Sequence, residues 1–310
     1  MLSRPKPPVT LVASRSLLRD AIPSPAAALA ALRAREVEIS RRALSLDHAA
    51  AWPEEDLALL REIGVLAAFG TAGASAEELF DALRIVGRAN LSLGRIFEGH
   101  VNGARLVSWY GNDEQQRRLR HDLAHGEVYG VWNSEPAPGV TISGDAAPVL
   151  AGEKHYATGA GHIDKAIVTA RTPSGERQML IVNAGDSRRA DNSAWRVRGM
   201  KATQSGSYDL SGLAAGEESH LGWPGDYEHE PRFSGGAWRF TAVQLGGVER
   251  ILCLLRPYLL APMLRPRQSS EPDSPTLSLR RGQHGYGCAR RLAWPRAART
   301  TLARTSWPWC

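Results

Sequence analysis

The residues with chemical reach are few and scattered. His121 and His125 stand four apart in a charged helical segment, the spacing at which two imidazoles can share a metal ion. No third ligand accompanies them, so they read as a solvated face, and no metal is expected. Glu228-His229-Glu230 gathers three titratable groups in what reads as a loop. The glycine-rich stretches never take the G-x-G-x-x-G form between a strand and a helix, so they make no dinucleotide fingerprint. Cys253, Cys288 and Cys310 are odd in number and all late, which is no disulfide framework. A reducing, cytoplasmic setting is the default for such a chain. Ser134, Tyr156 and Thr158 would by themselves be ordinary turn and strand residues, and only the motifs around them give them a further meaning.

Elements able to position these residues are legible from periodicity. Residues 1–24 read as a tail without regular structure, basic and acid-poor before Asp20. Residues 25–126 read as a helical domain. Pro53 followed by Glu54, Glu55 and Asp56 opens one helix, with acids near the positive end of its dipole. Ser75 with Glu78 forms a capping box for another, and Asn112 with Gln115 caps a third. From 127 to 234 the texture changes to short Val/Ile/Tyr-rich runs separated by Gly, Pro, Asp and Ser. Strands are expected at Val128–Ser134, Val149–Ala157, Lys165–Arg171, Gln178–Asn183, Trp195–Gly199 and Tyr208–Leu213. No helix-length segment separates them, which predicts a compact antiparallel, barrel-like β-domain rather than a doubly wound sheet. Helical periodicity returns over 235–255. The fold class is α+β.

Composition excludes disorder throughout, collagen and a disulfide scaffold: of 310 residues, 43% are hydrophobic and 23% charged. No apolar run reaches the roughly 18 residues of a membrane span. The net charge is +6, but residues 251–310 carry +8 and the remainder −2, so no general basic field covers the main body and a nucleic-acid partner is not expected. Residues 256–310 read as an irregular basic tail with seven prolines and three tryptophans. That composition suits a GC-rich gene read in a shifted frame, and the expectation is a non-native tail replacing something helical.

Four segments in order carry a family resemblance. GNDEQQRRLRHDLAHGE (Gly111–Glu127) is similar to the G-x-x-E-Q-K-x-x-x-L-P-x-L-x-x-G-E stretch of acyl-CoA dehydrogenases. VYGVWNSEPAPG (Val128–Gly139) resembles their [TS]-E-P-x-A-G-S turn, and LAGEKHYATGAGHIDKAIVTAR (Leu150–Arg171) their L-x-G-x-K-x-[WFY]-I-T-N-[GA]-x-x-A-D segment. WRVRGMKATQSGSYDLSGL (Trp195–Leu213) is similar to their G-M-[RK]-x-T-x-S strand and its successor. The resemblance covers about residues 25–252. It implies a flavoprotein oxidoreductase, with FAD (alternatively FMN) taking a hydride from an acyl-CoA thioester, on a fold of helical domain, β-domain and C-terminal helical bundle.

The resemblance also implies site residues. Ser134 matches the hydroxyl at the pyrimidine edge of the isoalloxazine, with Asn133 beside the pocket. Tyr156 matches the flanking aromatic, Thr158 the hydroxyl near N5, and Gly139 the glycine that lets backbone approach the ligand. His100 matches a family histidine and reads as a satisfied core residue. Lys154, Glu135 and Asp164 read as structural. Val140 stands where the family often has a serine contacting substrate. That departure, with Tyr156-Ala157-Thr158-Gly159 in place of W-I-T-N, leans toward the alternative of a flavin-dependent monooxygenase of the same fold, like the dibenzothiophene-oxidising relatives. A third alternative is a non-enzymatic remnant whose basic tail binds acidic partners. No catalytic base is identified: Glu249, the one acid in the last helical stretch, does not align with the family's glutamate. The resemblance further implies a homo-oligomer, built through a bundle that residues 256–310 do not match.

Overall fold

The computed structural model describes residues 22–264. Six helices come first: α1 (Pro25–Ala49), α2 (Glu54–Glu62), α3 (Val65–Gly70), α4 (Ala76–Ala89), α5 (Leu91–Tyr110) and α6 (Asp113–His125). Their ends follow local chemistry. Both expected capping boxes form, Ser75 with Glu78 and Asn112 with Gln115, each satisfying two orphan donors reciprocally. Asn90 closes α4 and opens α5, its Oδ1 accepting from the N–H groups of Ser92 and Leu93. Leu57, Leu60, Leu66, Phe69, Leu79, Leu83 and Phe97 meet in a fully buried core. Each such side chain contributes about 1.5–3 kcal/mol relative to exposure.

Nine strands follow: β1 (Tyr129–Trp132), β2 (Thr141–Ser143), β3 (Val149–Ala151), β4 (Glu153–Ala157), β5 (Lys165–Arg171), β6 (Arg177–Asn183), β7 (Ala190–Asp191), β8 (Gly206–Asp209) and β9 (His220–Leu221). They form two sheets. One has the order β3-β2-β5-β6-β9, with β1 also paired to β5, and the other has the order β4-β8-β7. The sequence pattern predicted antiparallel pairing throughout, but β1 and β2 both run parallel to β5. Between β1 and β5 the chain crosses to the second sheet through β4 and returns, the kind of crossover that parallel pairing requires. The single run expected over Val149–Ala157 breaks at Gly152, φ +117°, and changes sheet there. A Cβ on Gly152 would lie 3.1 Å from the Gly139 carbonyl, so the corner needs glycine twice over.

The strand expected over Trp195–Gly199 is irregular. Trp195 N–H and Arg196 N–H close local turns on the Asn192 and Ala194 carbonyls instead of joining a ladder.

The final helix, α7 (Trp238–Leu264), starts where periodicity resumes and runs past the expected end at 255, through Pro257. Arg250 closes the compact unit formed by the preceding elements. Within that unit α7 lies unusually close to α4. A Cβ on Gly87 would collide with the Val243 carbonyl, one on Gly246 with the Arg84 carbonyl and the Arg88 amide, and one on Gly94 would meet Val243 Cγ1 at 2.7 Å. One carboxylate bridges this seam, and a second, on α1, backs it. Glu249 accepts from Arg84 (2.9 Å) and Arg88 (3.4 Å), and Glu36 takes Arg88 in a bidentate pair at 2.6 Å. Phe240, Leu245 and Val248 on the outer face of α7 are about half exposed. The tails expected at 1–24 and 256–310 fall largely outside the described residues, which take in only 22–24 of the first and the α7 extension to Leu264 of the second. Among the described residues, no helix is long and apolar enough to cross a membrane.

Candidate functional site

β1 ends at the buried Trp132, and the chain leaves as Asn133-Ser134-Glu135. β4 and its successor residues run alongside in the opposite sense. The Ser134 carbonyl accepts from His155 N–H at 2.8 Å, and the Trp132 indole N–H donates to the Thr158 carbonyl at 3.0 Å. Ser134 and Thr158 therefore sit on adjacent segments, two or three residues apart along one edge.

Hydrogen bonding fixes the polarity of Thr158. Its Oγ1 lies 3.0 Å from Ser205 Oγ, Ser205 donates to Thr203 Oγ1 at 2.8 Å, and Thr203 donates to the Met200 carbonyl at 2.8 Å. The terminal carbonyl can only accept, so every proton in the chain points toward it. Thr158 spends its own proton on Ser205 and keeps lone pairs for an outside donor. Tyr156 stands between these hydroxyls in sequence. Pairing of β4 with β8 shifts between Lys154 and Ala157, and Tyr156 occupies the irregularity with φ +52°. A bulge of this kind re-aims a side chain. The Tyr156 ring is 68% exposed, with Trp195 edge-on at 6.4 Å. A left-handed aromatic held out to solvent is the sort of local strain that clusters at working sites.

The turn after Ser134 is braced from beneath. Lys154, fully buried, pairs with Glu135 and also donates to Thr169 Oγ1 at 3.3 Å. Burial pulls the Lys154 pKa below its ordinary value, and the Glu135 carboxylate opposes that shift. Gly139, φ +96°, closes the turn where a Cβ would lie 2.7 Å from Glu135 Oε1. Asn133 Oδ1 accepts from Thr169 Oγ1 at 2.6 Å and from Arg177, so its carbonyl end is committed to this brace. Of the residues singled out in the sequence, Ser134 lies on the segment that pairs through His155 with the one carrying Tyr156 and Thr158, and Asn133 and Gly139 flank Ser134 along the chain. Val140 is the exception and corrects the expectation of a substrate contact. Its side chain is fully buried in the hydrophobic core, turned inward by the same corner that brings Gly152 against it.

Other candidates resolve into structure. His100 is fully buried. Its Nδ1 accepts from Tyr129 N–H (3.2 Å), so Nε2 carries the proton and donates to the Leu66 carbonyl (3.0 Å). Burial lowers its pKa to about 4. His121 and His125 stack at 4.1 Å on exposed α6, and among the described residues no group of three His, Cys, Asp or Glu side chains could hold a metal. Glu249 is fixed between two arginines as an ion-pair anchor. Sequence reasoning assigned no role to Thr203 and Ser205, although both lie in the quoted G-M-K-A-T-Q-S run. The T-x-S spacing was the available signal.

No protein-family model matches the chain. Over 169 residues it is 28% identical to dibenzothiophene monooxygenase of Rhodococcus erythropolis, a match covering 50% of this chain and 40% of that protein. Among solved structures it resembles dibenzothiophene monooxygenase (TdsC) from Paenibacillus sp. A11-2, in the complex with FMN and indole. The TM-score is 0.65 at 23% identity, covering 74% of this chain and 64% of that one. Butyryl-CoA dehydrogenase from Megasphaera elsdenii is similar at TM-score 0.66 and 18% identity, covering 79% and 70%. The fold is the one these two proteins share. The chain spans less than two thirds of the length of the monooxygenases it matches.

Proposed function

We propose that the chain is a flavin-dependent monooxygenase of the acyl-CoA dehydrogenase fold, holding FMN or FAD along the edge formed by Ser134, Tyr156 and Thr158. The observation that carries the reading is this edge, where two hydroxyls and an outward, strained aromatic stand on adjoining segments. That set suits a planar ring with hydrogen-bonding edges. When bound in its reduced form, flavin supplies two electrons to O₂, so that one oxygen atom enters the substrate and the other leaves as water. The protein's part is to hold the ring and bias its redox state. Thr158, its proton committed inward, accepts a hydrogen bond, which favours the ring form bearing N–H at its N5 edge, the reduced one. Ser134 Oγ can donate to the pyrimidine edge that gains charge on reduction.

Oxidation through O₂ is favoured over acyl-CoA dehydrogenation, the main expectation from the motifs, on two grounds. Dehydrogenation needs a carboxylate base, and Glu249, the acid available in α7, is held by Arg84 and Arg88. The relatives matched in sequence are monooxygenases. The likeness to butyryl-CoA dehydrogenase keeps acyl-CoA oxidation as the second reading. Oxygen uptake coupled to an NADH:flavin reductase, with indole or dibenzothiophene as probe, tests the first. Bleaching of bound flavin by butyryl-CoA under anaerobic conditions tests the second. Bleaching without substrate-dependent oxygen uptake would replace the monooxygenase reading.

A further inference from the structure

The flavin edge leaves one pair of side chains with chemical reach unused. His121 and His125 lie four apart at the C-terminal end of α6, which Gly126 closes in a left-handed cap. Both are exposed, His121 to 68%. Their rings nonetheless lie face to face, with centroids 4.1 Å apart and planes 26° from parallel. Residues four apart stand one above the other on a helix, and here both imidazoles have turned to the same spot.

Each ring is oriented through its Nδ1. That of His125 lies 2.8 Å from the His121 carbonyl. A carbonyl only accepts, so the proton is on Nδ1 and the lone pair of the neutral ring is on Nε2. His121 Nδ1 faces Asp122 Oδ1 at 3.6 Å. Asp122 is buried, and its other oxygen accepts from the Tyr129 hydroxyl at 2.6 Å and from Lys165, which fixes the carboxylate in place. It draws the His121 proton to Nδ1 as well. Both Nε2 atoms then carry a lone pair that no protein group takes up among the described residues. A histidine that ligates a metal through one ring nitrogen almost always turns the other toward a carbonyl or a carboxylate. One partner of each kind stands here, one for each ring. The surrounding charge is mixed. The negative end of the α6 dipole lies at the pair and favours a cation. In the cleft beside His121, Arg117 pairs with Glu114, and Lys165 with Asp122 and Glu127. Arg118, on the same cleft, opposes a bound cation and keeps the site a moderate one.

We propose that His121 and His125 chelate a divalent transition-metal ion of the borderline class, Cu²⁺, Ni²⁺ or Zn²⁺, through their Nε2 atoms, with water completing its coordination. The i,i+4 placement is the one two-histidine helical metal sites use. Imidazole suits these ions, whereas Mg²⁺ and Ca²⁺ take oxygen ligands. With two protein ligands the ion keeps positions open to water or to a further donor. Nothing in this site depends on the flavin reading, and its test uses no turnover.

The test is calorimetric titration of the full chain, free of any affinity tag, with Ni²⁺ and in parallel with Mg²⁺. We expect saturable binding of Ni²⁺ and none of Mg²⁺. The Ni²⁺ affinity should be about a hundredfold weaker in His121→Gln and in His125→Gln, because a chelate loses one of its two arms. His48→Gln and His229→Gln, exposed sites on α1 and in the segment before α7, should bind as the parent. Without metal, His121→Gln and His125→Gln should melt with the parent, since both rings are exposed, and affinities are compared on the folded fraction. Cu²⁺ in place of Ni²⁺ adds a signature that a merely structural pair would not give: electron paramagnetic resonance should show hyperfine splitting from two nitrogens in the parent and from one in either variant. The proposal is overturned by an absence of Ni²⁺ binding in the parent, by equal binding of Mg²⁺, by undiminished Ni²⁺ binding in His121→Gln or His125→Gln, or by a Cu²⁺ spectrum that is the same in all three chains.

Discussion

The seam between α4 and α7 and the edge between β1 and β4 are built on opposite principles. At the seam, glycines let two backbones touch, and the ionic groups of Arg84, Arg88, Glu36 and Glu249 find one another. At the edge, Tyr156 stands out in solvent with a left-handed backbone, and Thr158 keeps lone pairs that no protein group takes up among the described residues. Hydrogen-bonding capacity used up inside the fold makes stability, and capacity left over at a rigid position can serve a ligand. Substitutions at the seam should therefore change stability without touching ligand affinity, and substitutions at the edge should do the reverse.

The largest effect is expected at Gly246. Gly246→Val drives a side chain into the backbone of α4, and overpacking against backbone that cannot yield should cost about 3 kcal/mol or more. A urea titration monitored by circular dichroism reads it. Glu249→Ala removes a carboxylate partner from both Arg84 and Arg88 and should cost about 3 kcal/mol, the scale of a broken buried pair. Flavin affinity corrected for the folded fraction should be unchanged in both, and a loss there would dissolve the contrast.

His100 adds a pH signature on the structural side. Its pKa is about 4 in the fold, below the ordinary 6.5, so the unfolded chain binds the extra proton first. Its contribution is fully present above pH 6.5 and is lost as pH falls toward 4, by up to about 3 kcal/mol. The midpoint of urea unfolding should fall across that window in the parent chain, and the fall should be shallower in His100→Gln.

Effects at the edge are smaller and of a different kind. Tyr156→Gly removes a strained φ and should leave stability unchanged or raise it by about 0.5–1 kcal/mol, while weakening flavin binding about tenfold. Thr158→Val loses one hydrogen bond to the ligand, about 1 kcal/mol, and should lose it mainly from the reduced form. Its bound flavin should then have a lower reduction potential than in the parent, whereas a purely structural Thr158 would leave the potential where it is.

Much of this was legible in residue order because it is local. Capping boxes at Ser75–Glu78 and Asn112–Gln115, the strand Lys165–Arg171 and the resumption of helix near Trp238 each follow from a few adjacent side chains. Features that escaped depend on distant partners. Glu249 looks like a lone acid until Arg84, 165 positions earlier, is brought beside it. Val149–Ala157 reads as one strand because nothing in its own sequence says that Gly152 must pass close under Gly139. At the flavin edge, the motifs named the hydroxyls and the aromatic. The inward donor chain through Ser205 and Thr203, which gives Thr158 its polarity, needed the fold.

One titration bears on the central claim most directly. The full chain is mixed with FMN and followed by quenching of flavin fluorescence, in parallel with Tyr156→Gly, Thr158→Val and Glu249→Ala. Saturation at one FMN per chain is predicted, weakened about tenfold by Tyr156→Gly and unaffected by Glu249→Ala once the folded fraction is counted, while the roughly fivefold loss in Thr158→Val falls on the reduced form and is read as a lowered reduction potential of its bound flavin. Absence of quenching in the parent chain with both FMN and FAD, or equal affinity in all four proteins, would contradict it.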